Sequence, residues 1–163
     1  MEIVIILGLI FFNGILSMSE IAMVSARKSR LETAAKKGSK TAKTALRLAN
    51  EPDRFLSTIQ IGITLIGILT GLYSGEALAG DLARWQETIG IPQAHSLTLA
   101  KGIIVILVTY LTLILGELVP KHLGMNAPEK IARLIARPME VLSKIASPFV
   151  WLLSASVRCC HRR

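Results

Sequence analysis

The sequence predicts an all-α membrane protein: three transmembrane helices and an amphipathic juxtamembrane helical belt on the cytoplasmic side. The 163 residues are 52% hydrophobic and 18% charged, with a mean hydropathy of +0.53, which is too apolar for an ordinary soluble domain. The apolar residues form three segments, at about 3–25, 55–79 and 102–120, each long enough to cross a bilayer as a helix. The net charge of +8 fits loops that face anionic lipid and does not suggest nucleic-acid binding.

The first apolar segment is predicted to be a signal anchor that is retained. Glu2 is its only early charge, so the basic n-region of a cleaved signal peptide is missing, and the apolar stretch is too long for an h-region.

A basic, alanine-rich segment at about 27–50 follows the first span. Gly38 divides it, which predicts two short helices on the membrane surface, with a solvated linker as the alternative. Pro52 and Asp53 then mark the start of the second span.

The distribution of basic residues predicts the orientation. Residues 26–54 hold nine Lys and Arg, residues 121–163 hold eight, and residues 76–101 hold two. The positive-inside rule places the two rich segments in the cytoplasm. The N-terminus and the loop at about 80–100 are then expected outside a plasma or bacterial inner membrane.

Beyond Pro128 the sequence becomes amphipathic with a helical period. We expect an interfacial helix over about 128–157, broken or bent near Pro138 and Pro148. The alternative is that residues 145–157 re-enter or cross the bilayer. Residues 1–157 are thus interpreted as a transmembrane domain, and residues 158–163 as the start of a linker to cytoplasmic domains of a longer protein.

Each predicted span carries a narrow stripe of polar or small side chains at helical spacing. Packing of membrane helices explains such stripes, since small and hydroxyl residues let helices approach closely; a cation pathway is the other interpretation. The stripes are Asn13, Ser17 and Glu20, with Ser19 to one side, then Gln60, Thr64, Gly67 and Gly71, then Thr109, Thr112 and Gly116.

Glu117 is the most conspicuous candidate because it is the only charge in the third apolar segment. An ionisable residue at such depth is costly and suggests a functional site. Pro120 follows, removes a backbone donor and frees a carbonyl one turn earlier. Carboxylate and carbonyl oxygens suit a small hard cation. An ion pair with Lys121 is the alternative role for Glu117, and capping of the cytoplasmic helices is the alternative role for Glu20.

Several motifs resemble the cyclin M/CorC family of membrane proteins over nearly the whole chain, and the block from Gly116 to Lys121 is the most specific. The others are Asn13-Gly14, Ser17-Met18-Ser19-Glu20-Ile21-Ala22, residues 27–31, Ser57-Thr58-Ile59-Gln60-Ile61-Gly62, Pro128-Glu129-Lys130-Ile131-Ala132 and Pro148-Phe149-Val150-Trp151.

The resemblance implies three spanning helices, a juxtamembrane belt, a homodimer, and a continuation into a CBS-pair domain. It also implies export or transport of magnesium, held among the spans by serine oxygens of the first, an asparagine of the second and the glutamate region of the third. Carried over, the ion-binding residues are Ser17, Ser19, Gly116, Glu117 and Gly124. Asn13, Glu20, Gln60, Thr64, Gly67 and Lys121 are then expected to line a cation pathway.

One departure leaves the substrate open. Many magnesium-linked members carry asparagines where this chain has Ile63 and Gly67, and a related branch is linked to polyamine export. Magnesium is therefore the first expected substrate and a polyamine such as putrescine or cadaverine the second. A third hypothesis is a membrane anchor or sensor for CBS domains without transport. An enzyme is not expected, since the sequence shows no nucleophile–base set and no metal-protease spacing.

Overall fold

The computed structural model describes residues 2–90 and 92–161. Over these residues the backbone is helical almost throughout and contains no strand. The helices, in chain order, are α1 (Glu2–Ser25), α2 (Lys28–Lys36), α3 (Lys40–Asn50), α4 (Pro52–Ala77), α5 (Ala79–Thr88), α6 (Gln93–Leu113), a π-helical turn (Ile114–Leu118), α7 (Val119–Asn126) and α8 (Pro128–His161).

Three helical stretches among these residues are long and apolar enough to cross a membrane, namely Glu2–Ser25, Pro52–Thr88 and His95–Asn126. The all-α architecture with three candidate spans is thereby confirmed. The second and third stretches are longer than the sequence predicted. The expected external loop at 80–100 is mostly helical, because α5 and the first turns of α6 occupy it.

The chain divides into two compact units. The first contains residues up to Ile15 and Ile63–Pro120. In it α5 packs against α6 through a small alanine core of Ala79, Ala83 and Ala100. The hydroxyl of Ser96 donates to Oε1 of Glu87 over 3.0 Å, and this bond ties the two helices together.

The second unit contains Leu16–Gly62 and the residues from Lys121 onward. Gly38 has a φ of +91°, which lets the chain turn sharply between α2 and α3, as predicted. Ser39 begins α3 by accepting a hydrogen bond from the Ala42 amide. α3 packs against α8, and alanines supply much of the buried surface of both helices.

Of the predicted break or bend near the prolines of the last helix, the break is wrong, and the bend stays a prediction. α8 runs as one helix from Pro128 to His161 with Pro138 and Pro148 inside it. Each proline removes one backbone hydrogen bond; burial of Ala132, Ile135 and Met139 on the packed side of α8 offsets that loss. In the predicted linker at 158–163, residues 162 and 163 lie outside the described residues.

Candidate functional site

The third span changes its helical geometry beside Glu117. The Val119 amide donates to the carbonyl of Ile114, five residues earlier, which is the hydrogen bond of a π-helix. Pro120 has no N–H to give, so the carbonyl of Gly116 loses its α-helical donor. The freed carbonyl expected from the sequence therefore belongs to Gly116, in the same π-helical turn as Glu117.

Asn13 of α1 supplies the missing donor. Its Nδ2 donates to the Gly116 carbonyl over 3.0 Å, and its side chain is only 5% exposed. The approach is close, because a Cβ on Gly116 would lie 3.2 Å from Asn13 Nδ2 and 3.3 Å from the Ile10 carbonyl. All these residues belong to the first unit.

The neighbouring Gly14 brings α1 against the same turn. A Cβ on Gly14 would lie 2.9 Å from Cγ of Pro120 and 3.2 Å from the Leu115 carbonyl. Asn13 and Gly14 thus act as a pair: the first bonds to the turn and the second permits the contact.

The amide oxygen of Asn13 has no hydrogen-bond partner among the described residues although it is buried. A buried acceptor left unpaired costs about 1–3 kcal/mol, so this oxygen requires an explanation. Cation coordination is one, because amide and carboxylate oxygens are ligands of hard cations.

In the second unit the predicted serines are buried. Ser17 is 1% exposed and Ser19 is fully buried, and Oγ of Ser17 is another buried oxygen without a partner in the described part of the chain. Gly124 of α7 lies so close to α1 that an added Cβ would be 2.8 Å from the Met18 carbonyl. Close helix packing therefore already accounts for glycine at this position.

Glu20 and Lys121 are brought together in the second unit. Oε2 of Glu20 lies 3.9 Å from Nζ of Lys121, and both side chains are about one-third exposed. The contact with Lys121 gives Glu20 a partner other than the cytoplasmic helices that it was alternatively expected to cap.

The stripe of the second span is largely exposed: Gln60, Thr64, Gly67 and Gly71 all face away from the protein interior. Added Cβ atoms on Gly67 and Gly71 would meet no atom within 4 Å. In the first unit Gly67 and Gly71 share a cleft of about 160 Å³ with Thr109 and Thr112 of α6. Parts of two stripes that the sequence predicted separately thus line one cleft.

No group of three or more His, Cys, Asp or Glu side chains in the described ranges is placed to hold a metal ion. The predicted ligand set is of a different kind, since it consists of serine hydroxyl and glycine carbonyl oxygens with the carboxylate of Glu117.

Sequence reasoning missed a charged cluster in the second unit. Arg47 of α3 and Lys144 of α8 both contact Oε1 of Glu140. The hydrogen bond from Lys144 and the positive charges of both cations hold the pKa of the Glu140 carboxyl below its ordinary value of 4.5. The i,i+4 spacing of Glu140 and Lys144 was a readable signal, whereas the partner on α3 was not.

Comparison with known proteins decides the family. The model of the cyclin M transmembrane N-terminal domain matches residues 4–163. The chain belongs to this cyclin M transmembrane family. A UPF0053 protein of Synechocystis is 46% identical over 156 residues, which are 96% of this chain and 35% of that protein.

Two further relatives widen the comparison within the cyclin M family. A UPF0053 protein of Bacillus subtilis is 32% identical over 96% of this chain and 34% of its own length. A protein of Escherichia coli K12 named polyamine export protein is 31% identical over 99% of this chain and 36% of its own length. The chain thus spans about a third of the length of these relatives. As a cyclin M domain with three candidate spans it is a multi-pass membrane protein.

Proposed function

We propose that this chain is the membrane domain of a cation transporter and that oxygen atoms of Asn13, Gly116 and Glu117 bind the cation. The observation that carries the proposal is the buried Asn13 amide, which donates to the Gly116 carbonyl and leaves its own oxygen unpaired beside a π-helical turn that holds a carboxylate. π-helical turns within α-helices often mark functional sites.

Magnesium is the first proposed substrate. Mg²⁺ prefers oxygen ligands and usually keeps several waters, so one carboxylate with amide and carbonyl oxygens suits it. Ser17, Ser19 and Gly124 are proposed as further oxygen donors on the strength of the family resemblance. Glu20, Gln60, Thr64, Gly67 and Lys121 are proposed to line the cation's route.

A polyamine is the second candidate, and one observation favours it: the Escherichia coli relative is named polyamine export protein. An ammonium group would use the same oxygens as hydrogen-bond acceptors, and Ile63 and Gly67 offer no side-chain amide oxygen to a metal ion.

Transport is proposed to proceed by alternating access in a homodimer, with a CBS-pair domain in the full-length protein. Gly67 and Gly71 support the dimer, because an exposed small-residue surface is what a second membrane helix packs against. A membrane anchor or sensor without transport is the competing function.

The test is a thermal melt of purified protein with and without millimolar MgCl₂, for wild type and Glu117→Gln. A ligand that binds the folded state stabilises it by mass action, by about 2.7 kcal/mol at a hundred times its dissociation constant. We expect wild type to gain stability with magnesium and Glu117→Gln to gain little, because the charge is lost while the shape is kept. Glu32→Gln, an exposed carboxylate on α2, is the matched control and should behave like wild type.

An unchanged magnesium shift in Glu117→Gln would contradict the ligand role and favour the ion pair with Lys121. Parallel melts with putrescine and cadaverine separate the two substrates. Flux in proteoliposomes separates both from the anchor, which would show no flux with any of these cations.

A further inference from the structure

The second unit contains a cavity of about 290 Å³ where the end of α3, the start of α4 and the middle of α8 meet. Arg47, Arg54 and Lys144 contribute positive charges to its lining. Leu48 and Phe55 line it as well and are almost completely buried. The cavity thus combines cationic groups with an apolar wall.

The lining of this cavity contains more positive than negative side chains. Glu140 and Glu51 are the two carboxylates of the lining, against three cations. Arg47 and Lys144 both contact the same oxygen, Oε1 of Glu140. An arginine has five N–H donors, and the side chain of Arg47 is 59% exposed, so donors remain for a further anion.

Arg54 is the least engaged of the three cations. Its Nη2 donates to Oγ of Ser147 over 3.3 Å, and its Nη1 lies 3.9 Å from Oε2 of Glu51. Both contacts are long and exposed, and surface pairs of this kind contribute little to stability. A structural ion pair therefore accounts for the presence of an arginine at position 47, but it accounts less well for the presence of Arg54.

Two features favour a position of the cavity at the level of the lipid headgroups. Arg54 lies in the first turn of α4, where a candidate membrane span begins. On α8, Leu134, Val141, Ile145 and Leu152 recur every seven or four residues along one exposed side. Such an apolar line is typical of a helix lying in the membrane interface.

We propose that this cavity binds the phosphate group of an anionic phospholipid, with Arg47, Arg54 and Lys144 as donors to the phosphate oxygens. Leu48 and Phe55 would contact the apolar part of the lipid next to its headgroup. Basic pockets beside membrane helices bind anionic headgroups in this way, and arginine matches phosphate geometry particularly well. The proposal does not depend on which cation the protein transports.

The test measures thermal stabilisation of the purified full chain in detergent as dioleoyl-phosphatidylglycerol or dioleoyl-phosphatidylcholine is added. We expect phosphatidylglycerol to stabilise wild type more strongly. Arg54→Gln should need about fivefold more phosphatidylglycerol for half the shift, since one basic residue near an anionic surface is worth about 1 kcal/mol. Arg137→Gln is the matched control, because Arg137 is exposed on α8 outside the cavity lining.

Arg54→Lys should retain part of the preference, which separates loss of charge from loss of fold. Equal shifts with the two lipids, or wild-type behaviour of Arg54→Gln, would overturn the proposal. A third arm adds inorganic phosphate against chloride at matched ionic strength. A saturable phosphate shift that Arg54→Gln loses would assign the site to free phosphate and overturn the lipid assignment.

Discussion

Four residues together allow α1 to pack against the π-helical turn of the third span: Asn13, Gly14, Gly116 and Pro120. Pro120 deprives the Gly116 carbonyl of its helical donor, and the Asn13 amide replaces that donor from a different helix. The two glycines remove the side chains that would keep α1 away from the turn. The hydrogen bond from Asn13 thus replaces the helical hydrogen bond that the Gly116 carbonyl lacks. The amide oxygen of Asn13 has no partner among the described residues.

Gly14→Ala tests the close approach. Its new Cβ would sit 2.9 Å from the Pro120 ring and 3.2 Å from the Leu115 carbonyl, and the backbone oxygen cannot move aside cheaply. We expect a loss of about 1–3 kcal/mol, typical of overpacking, seen as a lower melting temperature. Gly8→Ala on the same helix would meet no atom within 4 Å and should be neutral or slightly stabilising. Equal effects of the two substitutions would contradict the packing of α1 on the turn.

At the scale of the elements, two ion pairs join the basic α2–α3 hairpin to α8. Nη1 of Arg30 lies 3.7 Å from Oε1 of Glu129, and Arg47 contacts Glu140. Glu129 lies in the first turn of α8 and Glu140 lies further along it, so the hairpin contacts the long helix through charges at two separate points. The pair at Glu140 is reinforced by Lys144 from α8 itself.

This geometry predicts a pH-dependent contribution to stability. Because the pKa of Glu140 in the folded protein lies below its ordinary value of 4.5, its stabilising effect is complete above that value and is lost as the pH falls through the folded pKa. Glu140→Gln should therefore melt at a lower temperature than wild type at pH 7. The gap should shrink progressively below pH 4.5. The melting temperature of Glu32→Gln should differ little from that of wild type at pH 7 and below pH 4.5. A difference between Glu140→Gln and wild type that widened on acidification would contradict the stabilising role of Glu140.

The elements differ in how far their sequence predicts them. The spans follow from apolar length and the α2–α3 turn from Gly38, because both signals are local. The continuity of α8 does not follow, since Pro138 and Pro148 oppose a helix locally, and the burial of neighbouring residues such as Met139 and Ala146 is not a local signal. In the site, the carbonyl freed by Pro120 is predictable from one segment. Its partnership with Asn13 joins residues 103 positions apart, which no local pattern encodes.

At the scale of the whole molecule, the packing of the second unit constrains the membrane topology. α3 and α8 are in direct contact, so we expect the two most basic segments to lie on one side of the bilayer. Two candidate spans, Pro52–Thr88 and His95–Asn126, separate them along the chain, and an even number of crossings is what a common side requires. One candidate span precedes α2, so we predict that the start of α1 lies on the opposite side.

Charge then predicts which side is cytoplasmic. Seventeen of the nineteen Lys and Arg residues lie in the segments 26–54 and 121–163, so the positive-inside rule places both in the cytoplasm. Single cysteines at Lys43 on α3 and Thr88 at the end of α5, in a background with Cys159→Ser and Cys160→Ser, test this in intact cells. A membrane-impermeant maleimide should label the cysteine at 88 before lysis and the one at 43 only after it. Labelling of both before lysis would contradict the count of three spans, and the reverse pattern would keep the spans but invert the orientation.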